Sequence, residues 1–238
     1  MDPEVLLSAL REEIPAFISG KRLAHTYAVE EECRVLAERF CLHPSLFTKE
    51  DGYRLRTAAL LHDITKEKTR EEQFALCERY RIPLTDYEKA SPNVLHAKTA
   101  PAVAQDVINR KFGERIVGDD IADAIRTHTT GSTHMSLAGK LLFLADYIEA
   151  TRTFEDCVLL RETYYRTLPK PEEGAEALLL HLDRIMIFSF DLTISDLLDS
   201  GFLIDPETTA ARNALLYAHA ADPAFRPIRL NGQTDARG

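Results

Sequence analysis

The chain has 238 residues, 45% hydrophobic and 28% charged, with a formal net charge of −9. That length supports one substantial core and that composition excludes a disordered chain, while the acidic balance excludes the broad basic face a nucleic-acid polymer needs. No segment reaches the roughly 20 apolar residues that cross a bilayer, and the opening MDPEVLLSALREEI lacks a basic-then-apolar leader, so a cytoplasmic protein with no membrane partner is expected.

Apolar residues recur at three-to-four spacing nearly throughout, so the expected fold class is all-α. The first helix is expected over 3–18, with Pro3 near its start, and the second over 21–40, holding His25. A third, 50–64, runs through AALLHD, and a polar helix covers 69–80. A loop through Arg81–Pro92 leads to a helix over 96–112, where Pro101 argues for a later start. The next helix, 119–128, ends at His128, and Gly131 marks a turn. Ser136 is the expected N-cap of a helix over 137–150. Helices over 155–167, 172–189 and 193–200 follow, and Asp205-Pro206 opens a last helix over 206–220. Pro169–Pro171 is the best candidate boundary. It divides an expected catalytic body, 1–168, from C-terminal helices packed on it, 169–222, and a polar, frayed tail, 223–238. Cys33, Cys41, Cys77 and Cys157 form no C-x-x-C pair and are read as reduced thiols.

Five segments place a metal-ligating residue type where the local pattern does not ask for one: RLAHTYAV, AALLHDITK, LHAKTA, RTHTTG and LLFLADYIEA. His62 and Asp63 follow a fully apolar run, and a buried ionised Asp needs a cation, a donor cluster or a helix end. Asp146 likewise interrupts an apolar face beside Leu142, Phe143 and Ile148. His25 opens an amphipathic helix, and His96 and His128 stand beside helix ends. Each signal is weak alone. An HD dipeptide is usually a polar pair closing a helix, and a lone His is usually a satisfied core side chain. The set is stronger. Four imidazoles and two carboxylates with no thiolate suit Fe, Mn, Zn, Co or Ni rather than a structural zinc cage. Six ligands exceed what one tetrahedral ion takes, so two divalent ions sharing Asp63 are expected. His43, His134, His181 and His219 lack this context and are read as surface or structural.

Basic and hydroxyl groups lie close by. Arg22 precedes His25, Lys66 falls within one helical turn of Asp63, Arg152 follows Asp146, and Thr129, Thr130 and Gly131 follow His128 directly. Cations and short donors around a polarising metal are what a phosphate chain requires. Phosphate-binding glycine loops and the nucleophile-elbow and zinc-protease motifs are absent.

The order His25, His62-Asp63, Asp146 resembles the HD superfamily of metal-dependent phosphohydrolases. The fuller pattern resembles its bacterial symmetrical bis(5′-nucleosyl)-tetraphosphatase branch, the YqeK-like family. It comprises RLAHTYAV, AALLHDITK, LHAKTA, IRTHTTG, MSLAGKLLFLADYIEATRTF and IDPETTAARNALL, with RTHTTG followed by FLADYIE the most specific part. The resemblance implies a compact helical bundle with a C-terminal helical extension and a two-metal centre, commonly iron, with manganese, cobalt or zinc as alternatives. It implies hydrolysis of diadenosine tetraphosphate to two ADP by a hydroxide that the metals activate. His25, His62, Asp63, His96, His128 and Asp146 would be the ligands, with Asp63 bridging. Asp63 and Lys66 would be catalytic, and Arg22, Thr129, Thr130, Gly131 and Arg152 would meet the phosphates. Ala150 stands where the family usually has Pro, and Lys98 is unexpected. Pro44–Gly52 and Ala175–Phe190 look like additions. These departures bear on the nucleotide pocket rather than the ligands. Another nucleotide phosphohydrolase, such as a nucleotidase or alarmone hydrolase, stays open as an alternative, as does a non-catalytic metal- or nucleotide-binding regulatory module. The expected partner is a nucleotide polyphosphate, and the apolar face Ala177–Phe190 points to a homodimer.

Overall fold

The computed structural model describes residues 2–112 and 115–229. Within them the chain is all-α, with no strand among the described residues. The helices are α1 (Pro3–Glu13), α2 (Gly20–Phe40), α3 (Lys49–Leu61), α4 (Arg70–Arg79), α5 (Asp86–Ala90), α6 (His96–Phe112), α7 (Asp119–Thr127), α8 (Leu137–Ile148), α9 (Glu155–Thr167), α10 (Gly174–Asp199) and α11 (Pro206–Ala218).

Helix starts follow side-chain chemistry. Thr48–Asp51, Thr69–Glu72 and Thr85–Glu88 are reciprocal capping boxes at α3, α4 and α5. Ser136 accepts from the Gly139 N–H, and Asp205 accepts from the Glu207 N–H, as expected for α8 and α11. Four expectations are corrected. The first helix stops at Glu13 and tightens into a 3-10 turn over Ile14–Ala16, because Pro15 has no N–H to continue the ladder. The 81–92 segment contains α5, which the Thr85–Glu88 box starts. The sixth helix begins at His96 after all, with a buried Pro101 inside it. The two segments 172–189 and 193–200 are one helix, α10. Asp191, which lies between the two expected segments, pairs with Arg212 of α11.

The element that organises the core is α3. It packs against α1, α2, α6, α7 and α8, and its second half, Leu55 to Leu61, is buried on every face. Such a helix belongs to the interior. Gly52 allows the close approach of α2: a Cβ there would lie 3.3 Å from the Ala37 Cβ. Glu30 of α2 is buried but paired. Arg56 donates to it at 2.7 Å and Arg11 at 2.8 Å, which ties α1, α2 and α3 together.

The C-terminal helices share this core. Contacts join α10 to α8, α9 and α11, and Phe190 packs on Phe143 with ring centroids 5.0 Å apart. The apolar face expected to meet a second copy is thereby spent within the chain, since Leu178, Leu182, Ile185, Phe188 and Phe190 are buried. Part of the tail is ordered. Phe225 is buried, and its ring stacks on His219 at 4.2 Å. Residues 230–238 of the expected frayed tail lie outside the described residues. No helix among the described residues is long and apolar enough to cross a membrane.

Candidate metal centre

Four imidazoles and two carboxylates converge from α2, α6, α8 and the ends of α3 and α7. The local backbone aims three of the rings in the same way. His62 and His128 are the C-cap residues of α3 and α7. Carbonyls in a last helical turn lack the i+4 donor of the regular ladder, and these rings reach them: Nδ1–H of His62 donates to the Ala59 carbonyl at 2.6 Å and that of His128 to Ile125 at 2.5 Å, a carbonyl that also accepts from the His128 backbone N–H. At the first residue of α6, His96 repeats the device on the Asn93 carbonyl at 2.8 Å. In each case the acceptor lies three residues back, which fixes the tautomer and leaves Nε2 to point inward. His25 is set differently. Its Nδ1–H donates to Glu149 Oε1 at 3.0 Å, and Glu149 is wholly buried. Thr151 holds that carboxylate in turn, through its N–H at 2.5 Å and its hydroxyl at 2.7 Å.

Asp63 lies between the rings. Its Oδ2 is 3.4 Å from His62 Nε2 and 3.9 Å from His25 Nε2, while its Oδ1 is 3.4 Å from His96 Nε2 and 3.8 Å from His128 Nε2. One carboxylate oxygen thus serves each histidine pair. Asp146 Oδ1 adds to the first side, 2.9 Å from His25 Nε2 and 3.9 Å from His62 Nε2. Three groupings of potential ligand atoms lie within 4.8 Å of one another: His25–His62–Asp63, His62–His128–Asp146 and Asp63–His96–His128.

The arrangement fits cations. Nε2 of His62 is buried with no hydrogen-bond partner, and Nε2 of His25 has no well-directed bond despite its closeness to Asp146. The Nε2 atoms of His96 and His128 face each other at 3.2 Å. With both Nδ1 atoms protonated, two lone pairs oppose there, and a positive charge between them relieves the repulsion. Imidazole with carboxylate is a donor set that suits first-row divalent ions.

The electrostatics agree. Burial alone would disfavour a charged Asp63, but His62, His128 and His96 hold its carboxyl well below the usual range. Burial likewise opposes the Asp146 charge, which His25 and Arg152 sustain. Burial and the neighbouring Lys66 ammonium push His96 well down, so it is neutral and available as a ligand. Burial lowers Lys66 itself, against the pull of Asp63 and Asp146.

A cleft of about 480 Å³ opens over this cluster. Three cations line it. Arg22 donates to Asp63 Oδ2 at 2.7 Å, Arg152 to Asp146 Oδ1 at 2.8 Å, and Lys66 Nζ to His96 Nε2 at 3.2 Å. The Thr129 hydroxyl lies 3.0 Å from His96 Nε2 and 3.1 Å from His128 Nε2. The structure does not bring Thr130 and Gly131 to this cleft. They line a separate cavity of about 380 Å³ with Lys98, Arg126 and Asp205. Gly131 is a packing residue there: its φ is +74°, and a Cβ would lie 2.7 Å from the Phe190 ring. The sequence reading missed Glu149. Its signal was an acidic residue three positions after Asp146, directly behind the apolar run.

A helical bundle that gathers buried imidazoles and carboxylates beneath a cationic cleft is the scaffold of an HD-type metal-dependent phosphohydrolase. The chain belongs to the HD domain family, whose model matches residues 22–151. Its relatives narrow the branch. It is 31% identical over 156 residues to the protein named symmetrical bis(5′-nucleosyl)-tetraphosphatase of Bacillus subtilis, covering 65% of this chain and 73% of that one. It is 30% identical over 199 residues to the protein of the same name from Halalkalibacterium halodurans, covering 84% and 91%. Among solved structures, a predicted HD superfamily hydrolase involved in NAD metabolism from Clostridium acetobutylicum superimposes with a TM-score of 0.71 at 27% identity, covering 89% of this chain and 97% of that one.

Proposed function

We propose that the protein hydrolyses dinucleoside tetraphosphates symmetrically, with diadenosine tetraphosphate giving two ADP. The observation that carries this reading is the division of Asp63, one oxygen toward His25 and His62 and the other toward His96 and His128, beneath three cations in one cleft. The relatives' shared name supplies the substrate.

In this reading His25, His62, Asp63 and Asp146 would hold one divalent ion, and Asp63, His96 and His128 a second. Iron is the first expectation, and manganese, cobalt and zinc suit the same donors. When bound, the ions supply Lewis acidity toward phosphoryl oxygens and acidify water toward neutrality. The chain's own groups do the rest. Glu149 keeps His25 in the tautomer whose Nε2 points inward. Arg22 and Arg152 are each anchored by a carboxylate of the cluster, so their guanidinium planes are set before substrate arrives. Their remaining N–H groups and Lys66 offset charge on the phosphoryl and leaving oxygens. Thr129 offers a neutral donor beside His96 and His128. Hydrolysis consumes one water across the central P–O–P bond and releases two nucleoside diphosphates.

The direct test is metal removal and return. Protein stripped with a chelator should not cleave diadenosine tetraphosphate, and adding back manganese or ferrous iron should restore cleavage. Full turnover by the stripped protein would overturn the reading.

A further inference from the structure

The cleft extends beyond the metal cluster. One end carries Arg22, Lys66 and Arg152 beside the histidines. The other is built from the end of α8, the start of α9 and the outer face of α10, and is lined by Tyr147, Phe154, Asp156, Thr193 and Asp196. The two ends differ in chemistry. Two carboxylates at the far end, Asp156 and Asp196, form no ion pair among the described residues. Both line the same end of the cleft, and burial, with the Asp196 charge, pushes the Asp156 carboxyl up. Phe154 caps α9 and is 70% exposed. A single exposed apolar side chain is ordinary on a surface, but this one lines a cleft whose opposite wall leads to the buried cluster.

A polyphosphate chain belongs at the cationic end and is repelled from the acidic one. The acidic end suits the uncharged, donor-rich half of a nucleotide. Carboxylates fix ribose hydroxyls in other nucleotide sites by accepting their hydrogen bonds, and an aromatic face stacks on any base. The cleft volume of about 480 Å³ lies within the range of small-molecule sites.

We propose that this outer lobe is the nucleoside subsite. Phe154 stacks on the base, Asp156 and Asp196 accept hydrogen bonds from the ribose hydroxyls, and Tyr147 and Thr193 form the wall between them and the cluster. The assignment rests on the nucleotide-polyphosphate reading above, and it adds which residues recognise the nucleoside. It also explains how one site tells a dinucleoside polyphosphate from a bare polyphosphate: the bare chain gains nothing from the acidic lobe.

The test is calorimetric binding of ADP and of inorganic pyrophosphate to the full-length, manganese-loaded protein, in the wild type and in Phe154→Ala and Asp196→Asn. Phe154 and Asp196 are both exposed, so folding of the two variants can be checked by thermal unfolding alongside. The wild type should bind both ligands. Phe154→Ala should weaken ADP about tenfold, the loss expected for one base-stacking contact. Asp196→Asn should weaken ADP several-fold, and pyrophosphate should bind both variants as it binds the wild type. Variants that hold ADP like the wild type, or that lose pyrophosphate as much as ADP, would overturn the subsite and leave the hydrolase reading standing. So would a wild type that binds pyrophosphate but not ADP. A wild type that binds neither would overturn the hydrolase reading, and the subsite with it.

Discussion

Substituting Glu149→Gln isolates the group that orients His25. Glu149 is wholly buried and has three donors around it: His25 Nδ1–H at 3.0 Å, the Thr151 hydroxyl at 2.7 Å and the Thr151 N–H at 2.5 Å. Gln keeps the volume, so packing survives. Its amide presents one oxygen and one NH2, and whichever way it turns, a donor meets a donor. His25 also loses the negative charge that, with Asp146, raises its affinity for protons against the effect of burial. Replacing such an outer-shell partner costs about 10–100-fold in metal affinity, or roughly 1.4–2.7 kcal/mol. Calorimetric titration of the stripped protein with manganese reads this directly. The expected result is weaker binding by that factor, with much of the turnover recovered at saturating manganese. A folded variant that binds manganese as tightly as the wild type would refute the reasoning, because His25 would then hold its position without Glu149.

Three further outcomes are expected. Lys66→Met should keep its metal content while turnover falls about 100-fold or more, as for loss of one charge-stabilising group; elemental analysis beside initial rates separates this from a binding defect. Gly131→Ala should lower the unfolding temperature, since the added Cβ meets the Phe190 ring at 2.7 Å and a φ of +74° is one that L side chains rarely adopt; overpacking of this kind costs about 1–3 kcal/mol. Acid should destabilise the fold in part through His181. Burial pushes its pKa down to about 4, below the unfolded value of 6.5. The unfolded chain therefore takes up the proton first. The stabilising contribution is complete above about pH 6.5 and is lost as pH falls toward 4, by up to about 3 kcal/mol. Wild type and His181→Leu compared by denaturant unfolding across that window should differ in slope, and parallel curves would contradict the assignment.

How much of this was legible in the sequence depended on the physics behind each residue. His62-Asp63 and Asp146 were legible because a charge after an apolar run is costly to bury unless something answers it. His96 and His128 were individually faint, and their role in the cluster depends on a ring-to-carbonyl bond at a helix end that no periodicity reveals. Glu149 was not read because a carboxylate at the end of a helix resembles solvated surface, and only the turn through Thr151 buries it. Thr130 and Gly131 adjoin His128 in sequence, but the turn after α7 carries them toward α10 and α11 instead. Element boundaries erred where one residue was overweighted. Pro101 argues for a start later than His96 yet is accommodated inside α6, and α10 runs unbroken through Asp191, whose carboxylate pairs across to Arg212. The short α5 was overlooked although its signature, Thr85 followed three positions later by Glu88, was present. The all-α class was legible because the three-to-four apolar spacing holds along most of the chain.

The measurement that bears most directly on the central claim is the identity of the products. Purified protein is incubated with diadenosine tetraphosphate in the presence of manganese, ferrous iron, cobalt or no metal, and the nucleotides are separated. The account predicts ADP alone, formed only with metal. ATP with AMP would contradict the symmetrical cut, and intact substrate under every ion would contradict the assignment of this cleft to dinucleoside tetraphosphates.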